Sequence, residues 1–148
     1  MKHQDFGQID APLVLFGGPY SNLQAMQQMA REIAGRPSIC TGDVVAYCAE
    51  PNETIDALVQ AGSHVIAGNC EEQLIEGALD CGCGFEEGSV CDALSGGWWP
   101  YLRGEISEQS LTVLARLPGI GSFVNEGRRY AVIHGGATAI NRFLWPSS

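Results

Sequence analysis

Three short apolar runs each end in residues able to bind a cation. Gly42-Asp43 follows Ser38-Ile39-Cys40, Gly68-Asn69-Cys70 follows His64-Val65-Ile66-Ala67, and His134-Gly135-Gly136 follows Tyr130-Ala131-Val132-Ile133. Carboxylate, carboxamide and imidazole groups are ligands for divalent metals. In open α/β sheets ligands collect outside the carboxyl ends of strands. Three strand-end clusters can therefore converge on one site, with the chemistry on loops and the geometry set by a rigid sheet.

The elements that must carry these clusters follow from periodicity. Leu13-Val14-Leu15-Phe16, closed by Gly17-Gly18-Pro19, is the pattern of a buried strand ending in a tight turn. Ser21 is placed to cap a helix in which Leu23, Met26, Ala30 and Ile33 share one face, stopped by Gly35 and Pro37. A second strand is predicted near Ser38 to Thr41, a loop over Val44 to Ala49, and a helix opening at Pro51 or Asn52. The third strand starts at His64, and Glu71-Glu72-Gln73-Leu74 opens a short helix whose acids favour its N-terminal dipole. Such strand–helix alternation argues for right-handed βαβ units and a mainly parallel sheet.

From Gly77 to Gly97 the texture turns to Gly, Cys and acidic residues, the composition of a functional loop or lid. Trp98-Trp99-Pro100-Tyr101 supplies an apolar anchor, and Ser107 caps a further helix carrying Leu111, Leu114 and Ala115. Ser122 to Asn125, a Glu126-Gly127 turn and Arg129 to Ile133 read as a hairpin delivering His134. Residues 1–10 read as a polar N-terminal tail and 11–148 as a single domain.

Composition narrows the function. The chain has 148 residues, enough for one domain with its own core. Seventeen acids against eight bases give a net charge of −9, so nucleic acid is an unfavourable partner, while a small phosphorylated ligand remains compatible because a metal supplies charge locally. No run approaches the roughly 18 apolar residues of a membrane span, and the start lacks an apolar signal core; the expected location is the cytoplasm, with no membrane partner.

At this point the chain resembles the calcineurin-like metallophosphoesterases, particularly the bacterial phosphodiesterase and diadenosine-tetraphosphatase-like branch. The resemblance runs over nearly the whole chain and rests on Ser21-Asn22-Leu23-Gln24-Ala25, Gly42-Asp43-Val44-Val45-Ala46-Tyr47 with Pro51-Asn52-Glu53, Gly68-Asn69-Cys70 and Val132-Ile133-His134-Gly135-Gly136. It implies an αββα sandwich and a phosphatase or phosphodiesterase chemistry in which two divalent cations polarise the phosphoryl group and activate a water. It also implies that Asp43 takes the bridging-ligand place, that Asn69 and His134 match ligands of the second metal, and that Cys70 stands where the family's catalytic histidine does. The implied ion is Mn, Fe or Zn. The family's Asp-x-His is here Gly18-Pro19-Tyr20, and its final Gly-His-x-His is not found, so a single ion and a partly degenerate hydrolase are expected. Because the family is usually longer, and Phe143-Leu144-Trp145-Pro146 ends the chain on apolar residues, a C-terminally truncated form is expected. Its open sheet edges would suit covering by a second copy.

Several residues admit more than one reading. Cys70, Cys81, Cys83 and Cys91 would fill a tetrahedral zinc shell, or be thiols in a flexible loop. Cys48 follows the Asp43 loop closely enough to replace a lost ligand, and Cys40 reads as core. Backbone amides around Tyr20 and Asn22 would bind phosphate, or Asn22 would simply support the turn; Arg142 is either a planar phosphate donor or a surface arginine. His3 and His64 are assigned no site. The alternative to a hydrolase is a non-catalytic phospho-ligand binding module, or one that uses its cysteines for metal or redox regulation.

Overall fold

A computed structural model describes residues 2–147; Met1 and Ser148, the outer limits of the expected tail and domain, lie outside the described residues. The element order is β1 (His3–Gln8), β2 (Val14–Phe16), α1 (Leu23–Ile33), β3 (Ser38–Cys40), α2 (Pro51–Gln60), β4 (His64–Val65), α3 (Asn69–Glu76), α4 (Val90–Glu105), α5 (Glu108–Leu114), β5 (Ile120–Asn125) and β6 (Arg128–Ile133).

Two three-stranded sheets organise these elements. The first, ordered β2-β3-β4, is wholly parallel, with Val14 opposite Ser38 and Ile39 opposite His64. This is the βαβ arrangement that the alternation of elements demanded. The second, β1-β5-β6, pairs β1 parallel to β5 and β5 antiparallel to β6 across the Glu126-Gly127 turn. Residues 3–8 are therefore a strand of this sheet, not a tail. Their polar sequence, His-Gln-Asp-Phe-Gly-Gln, carries little strand propensity. It is held by backbone pairing with β5, by the Asp5–Arg129 ion pair at 3.2 Å, and by a His3 Nε2–Ser122 Oγ hydrogen bond at 2.9 Å.

One apolar cluster joins the parallel sheet to the helices through Phe16, Cys40, Met26, Ile33, Ile55, Leu58, Trp99, Leu102 and Leu114. A second, built on Ile9, Ile39, Ile66, Phe123 and Val132, lies between the sheets. Among the described residues, no helix is long and apolar enough to cross a membrane.

Local departures from the sequence reading have identifiable causes. Asn22, not Ser21, caps α1: its side chain accepts from the Ala25 amide at 2.9 Å, while buried Ser21 turns inward to accept from the Ala46 amide at 3.2 Å. α3 begins at Asn69 with Gly68 as its cap, two residues before the first of the acids that announced it. The expected Gly77–Gly97 loop is shorter, because α4 starts at Val90 with Ser89 capping the Asp92 amide. Gly96, Gly97 and Pro100 lie inside α4 despite costs of about 1 kcal/mol per glycine and about 3 for proline. Burial of Trp99 and Leu102 on the same helix offsets them. Phe143, Leu144 and Trp145 are largely exposed, with the Phe143 and Trp145 rings stacked at 5.9 Å.

Candidate functional site

The carboxyl ends of β3 and β4 and the end of β6 meet, as the sequence clusters require. β3 runs into Gly42-Asp43, where Asp43 adopts a left-handed backbone with φ 53°. β4 runs into Gly68, whose missing side chain admits this turn: a Cβ there would lie 2.2 Å from Asp43 Oδ1 and 2.9 Å from the His134 ring. β6 delivers His134 from the other sheet.

Three acceptor atoms converge at the junction. His134 Nδ1 lies 2.7 Å from the Thr41 carbonyl oxygen, which can only accept, so Nδ1 carries the hydrogen. In the neutral ring the lone pair then sits on Nε2, which is 3.2 Å from Asn69 Oδ1 and 3.4 Å from Asp43 Oδ2. Asn69 is oriented from behind, since its Nδ2 donates to the Cys81 carbonyl at 3.0 Å and leaves Oδ1 facing His134. Asp43 Oδ1 accepts from the Cys70 amide at 3.3 Å, which leaves Oδ2 for the junction. Three electron-rich atoms at these distances repel one another unless a positive charge lies among them. A proton on His134 serves that purpose: burial opposes it, but the Asp43 carboxylate and the Thr41 carbonyl outweigh burial and raise the ring to about 9.

Glu71 holds the two loops in place, a role the sequence reading missed. It is fully buried, and Oε2 accepts from the amides of Asp43 and Gly68, both at 2.8 Å, while Oε1 accepts from the Val45 amide at 3.1 Å. One carboxylate thus ties the end of β3 to the end of β4. Burial, and then the neighbouring Asp43 charge, push its carboxyl upward against those three amides. Its signal was the Gly68-x-x-Glu71 spacing, in which the third helical residue returns to the cap amide.

Cys70 touches the site from beneath, through its backbone amide and through a thiol that accepts from Asn69 Nδ2 at 3.7 Å and hydrogen-bonds the Asp43 side chain. Its side chain is fully buried in the helix–sheet core, and burial, then Asp43 and Glu71, drive its thiol far above the ordinary range. The position of the expected catalytic group thus carries a protonated core thiol. The four-cysteine zinc shell does not assemble either. Cys81 and Cys83 are paired as a disulfide, Cys70 is buried and Cys91 is exposed. Among the described residues, no group of three or more His, Cys, Asp or Glu side chains is disposed to hold a metal; the convergent set includes a carboxamide instead. Cys48 is exposed, and it does not line the cleft.

Backbone occupies the space beside Gly18. A Cβ on Gly18 would lie 2.2 Å from the Asp43 carbonyl oxygen and 2.8 Å from that of Gly42. Tyr20, two residues on, has φ 54° and lines the cleft with Tyr47, their rings 5.1 Å apart edge to face. Burial and then Asp43 raise the Tyr20 phenol; burial chiefly raises Tyr47 to about 12. Both are hydroxyl donors at neutral pH.

The cleft above the three acceptors measures about 370 Å³. Asp43, Asn69 and His134 lie in it, the tyrosines form one part of its wall, and Phe85, Phe143, Leu144 and Arg142 form another. Arg142 is thus the one guanidinium among the lining residues. Asn22 is committed to capping α1, while His3 and His64 serve the β1 contacts, His64 stacking on Phe6 at 4.4 Å.

No protein-family model matches the sequence, and no curated protein matches it. Solved structures do. A protein described as "a putative diadenosine tetraphosphatase" superposes with a TM-score of 0.65 at 17% identity, covering 91% of this chain and 55% of that one. A metallophosphoesterase from Sphaerobacter thermophilus gives 0.60 at 20% identity, covering 90% of this chain and 51% of that one. The chain spans about half the length of these structures. The fold is the α/β sandwich of the metallophosphoesterases, as the strand-end motifs implied.

Proposed function

We propose that the cleft binds one divalent cation, Mn, Fe or Zn, on Asp43, Asn69 and His134, and that the protein is a phosphoesterase-like hydrolase acting on a phosphomonoester or phosphodiester. The observation that carries this reading is the convergence of Asp43 Oδ2, Asn69 Oδ1 and His134 Nε2, each fixed from behind by a separate hydrogen bond. An imidazole with its Nδ1–H held by a carbonyl presents the lone pair and orientation that metal ligation needs. Carboxylate and carboxamide oxygens complete a borderline-hard donor set.

When bound, such a cation polarises the phosphoryl group and acidifies a water. The chain's own residues do the rest. Asp43 and His134, paired at 3.4 Å in the metal-free protein, would hold the cation together with Asn69. Tyr20 and Tyr47 present phenolic donors to phosphoryl oxygens, and Arg142 offers a planar, permanently charged fork. Phe85, Phe143 and Leu144 offer an apolar wall against which the organic part of an ester can pack.

One observation favours a second reading, a non-catalytic phospho-ligand binding module. Gly18 is packed on the Asp43 carbonyl, so the carboxylate that serves a first metal in the resembled family has no place here. Assays of an aryl phosphate and a bis-aryl phosphodiester with Mn²⁺, Fe²⁺ or Zn²⁺, beside calorimetry of cation and inorganic phosphate binding, separate the two. Turnover abolished in Asp43→Asn supports the hydrolase; cation and phosphate binding without turnover supports the module. Absence of cation binding overturns the half-site.

A further inference from the structure

The cysteine-rich loop touches this half-site directly. Asn69 owes its orientation to that loop: its Nδ2 donates to the Cys81 carbonyl at 3.0 Å and lies 3.5 Å from Cys83 Sγ. Cys81 and Cys83 are joined as a disulfide across Gly82; both are buried, and Cys83 alone of the two reaches the cleft, at its wall. The same small ring holds the opposite wall, because the Gly82 carbonyl accepts from Asn141 Nδ2 at 3.0 Å and Arg142 is the next residue. Gly82 is also pressed on the Gln73 side chain of α3, and its amide donates to Asp80 Oδ1 at 2.9 Å. Gly82 and Gly84 both take left-handed backbone angles, φ 63° and 68°, and flank Cys83.

We propose that Cys81 and Cys83 form a reversible thiol–disulfide site which clamps Asn69 in the disulfide state and releases it in the dithiol state. For its effect on the cation this rests on the half-site reading above; the clamp itself does not. In the reducing direction a small-molecule thiolate attacks Cys83 Sγ from the cleft, forming a mixed disulfide and breaking the Cys81–Cys83 bond. The electron pair of that bond stays on Cys81 Sγ, which takes a proton. A second thiol then displaces Cys83 as its thiol and leaves as the small-molecule disulfide. The sum is one protein disulfide and two small thiols giving two protein thiols and one small disulfide; an oxidised small disulfide of the glutathione type drives the reverse.

The closed ring limits the backbone freedom of Gly82, and with it the position of the Cys81 carbonyl. Opened, the segment regains the freedom of that glycine, and the carboxamide of Asn69 loses its fixed acceptor. An outer partner of a metal ligand of this kind is worth about 10- to 100-fold in affinity.

The test uses the full wild-type chain after dithiothreitol and after oxidised glutathione, with intact mass following the gain and loss of one hydrogen per thiol. NMR water exchange of the Asn69 carboxamide and the Mn²⁺ dissociation constant are measured in each state. The expected result is reversible interconversion, an Asn69 carboxamide protected only in the disulfide state, and Mn²⁺ binding at least about tenfold weaker in the dithiol state. Cys81→Ser and Cys83→Ser should match the dithiol form whatever the redox buffer. Failure to interconvert, or equal Asn69 protection in both states, overturns the proposal. Measurable but equal Mn²⁺ affinity in the two states also overturns it. If neither state binds Mn²⁺ while Asn69 protection still follows the disulfide, the half-site fails and the clamp stands.

Discussion

The carbonyl oxygen of Asp43 fills the space that any side chain on Gly18 would need. The Gly18 backbone and the Asp43 loop are thus in direct contact. Placing a carboxylate there with Gly18→Asp should therefore fail to create a second cation site, because the Asp43 loop must move to admit even a Cβ. Such overpacking costs about 1–3 kcal/mol. Calorimetric stoichiometry should stay at one cation or fall below it, with a lower Tm; two bound cations would show that the loop yields.

His134 predicts a pH dependence for the metal-free protein. Its folded value, raised to about 9, exceeds the ordinary 6.5, so the folded state binds the proton more tightly than the unfolded one. The stabilisation is complete below pH 6.5 and is lost as pH rises through about 9. His134→Gln should flatten the Tm profile over that window. Cation affinity of the wild type should rise over the same window, because the ion competes with the Nε2 proton.

Glu71→Gln should be destabilising although it is nearly isosteric. One of the two oxygens that now accept three backbone amides would become an NH₂ facing N–H groups. Leaving a buried donor unsatisfied costs about 1–3 kcal/mol. Urea unfolding should show a lower midpoint with an unchanged m-value, and Glu71→Ala should lose more.

Cys70→Ala separates the residue's backbone from its thiol. The amide bond to Asp43 survives the substitution while the thiol's contacts with Asn69 Nδ2 and the Asp43 side chain are lost, so cation binding should weaken by about tenfold or less, and stability should fall by about 1 kcal/mol for the lost buried sulfur. A collapse of activity with an intact fold would restore the thiol to the chemistry.

Much of the arrangement is legible in the sequence itself. The parallel sheet follows from Leu13–Phe16, Ser38–Cys40 and the His64 strand because each is a short apolar run closed by turn residues. Asp43, Asn69 and His134 stand out because each follows such a run, and the structure places them together. Glu71 was hidden: an acid in a first helical turn is explained by the dipole alone, and nothing in its spacing shows that two distant loop amides also need it. α4 was hidden by its glycines and proline, whose cost is met by Trp99 and Leu102 through contacts remote in sequence. β1 was hidden because its polar run shows no alternation, its place being set by partners near the other end of the chain.

That placement of β1 has a consequence for how the protein is made. His3 pairs with Ile120, so β1 is completed by a strand synthesised more than a hundred residues after it. At roughly 5–20 residues per second of synthesis, β1 waits for several seconds or more with its backbone unpaired. An apolar strand in that position would invite pairing with other nascent chains. Its His, Gln and Asp side chains keep it hydrated through the delay, while the parallel sheet and its helices assemble from contiguous sequence. The second sheet, and with it His134 over Asp43, can close only after β5 and β6 have been made, so the site forms later than the parallel sheet beneath it.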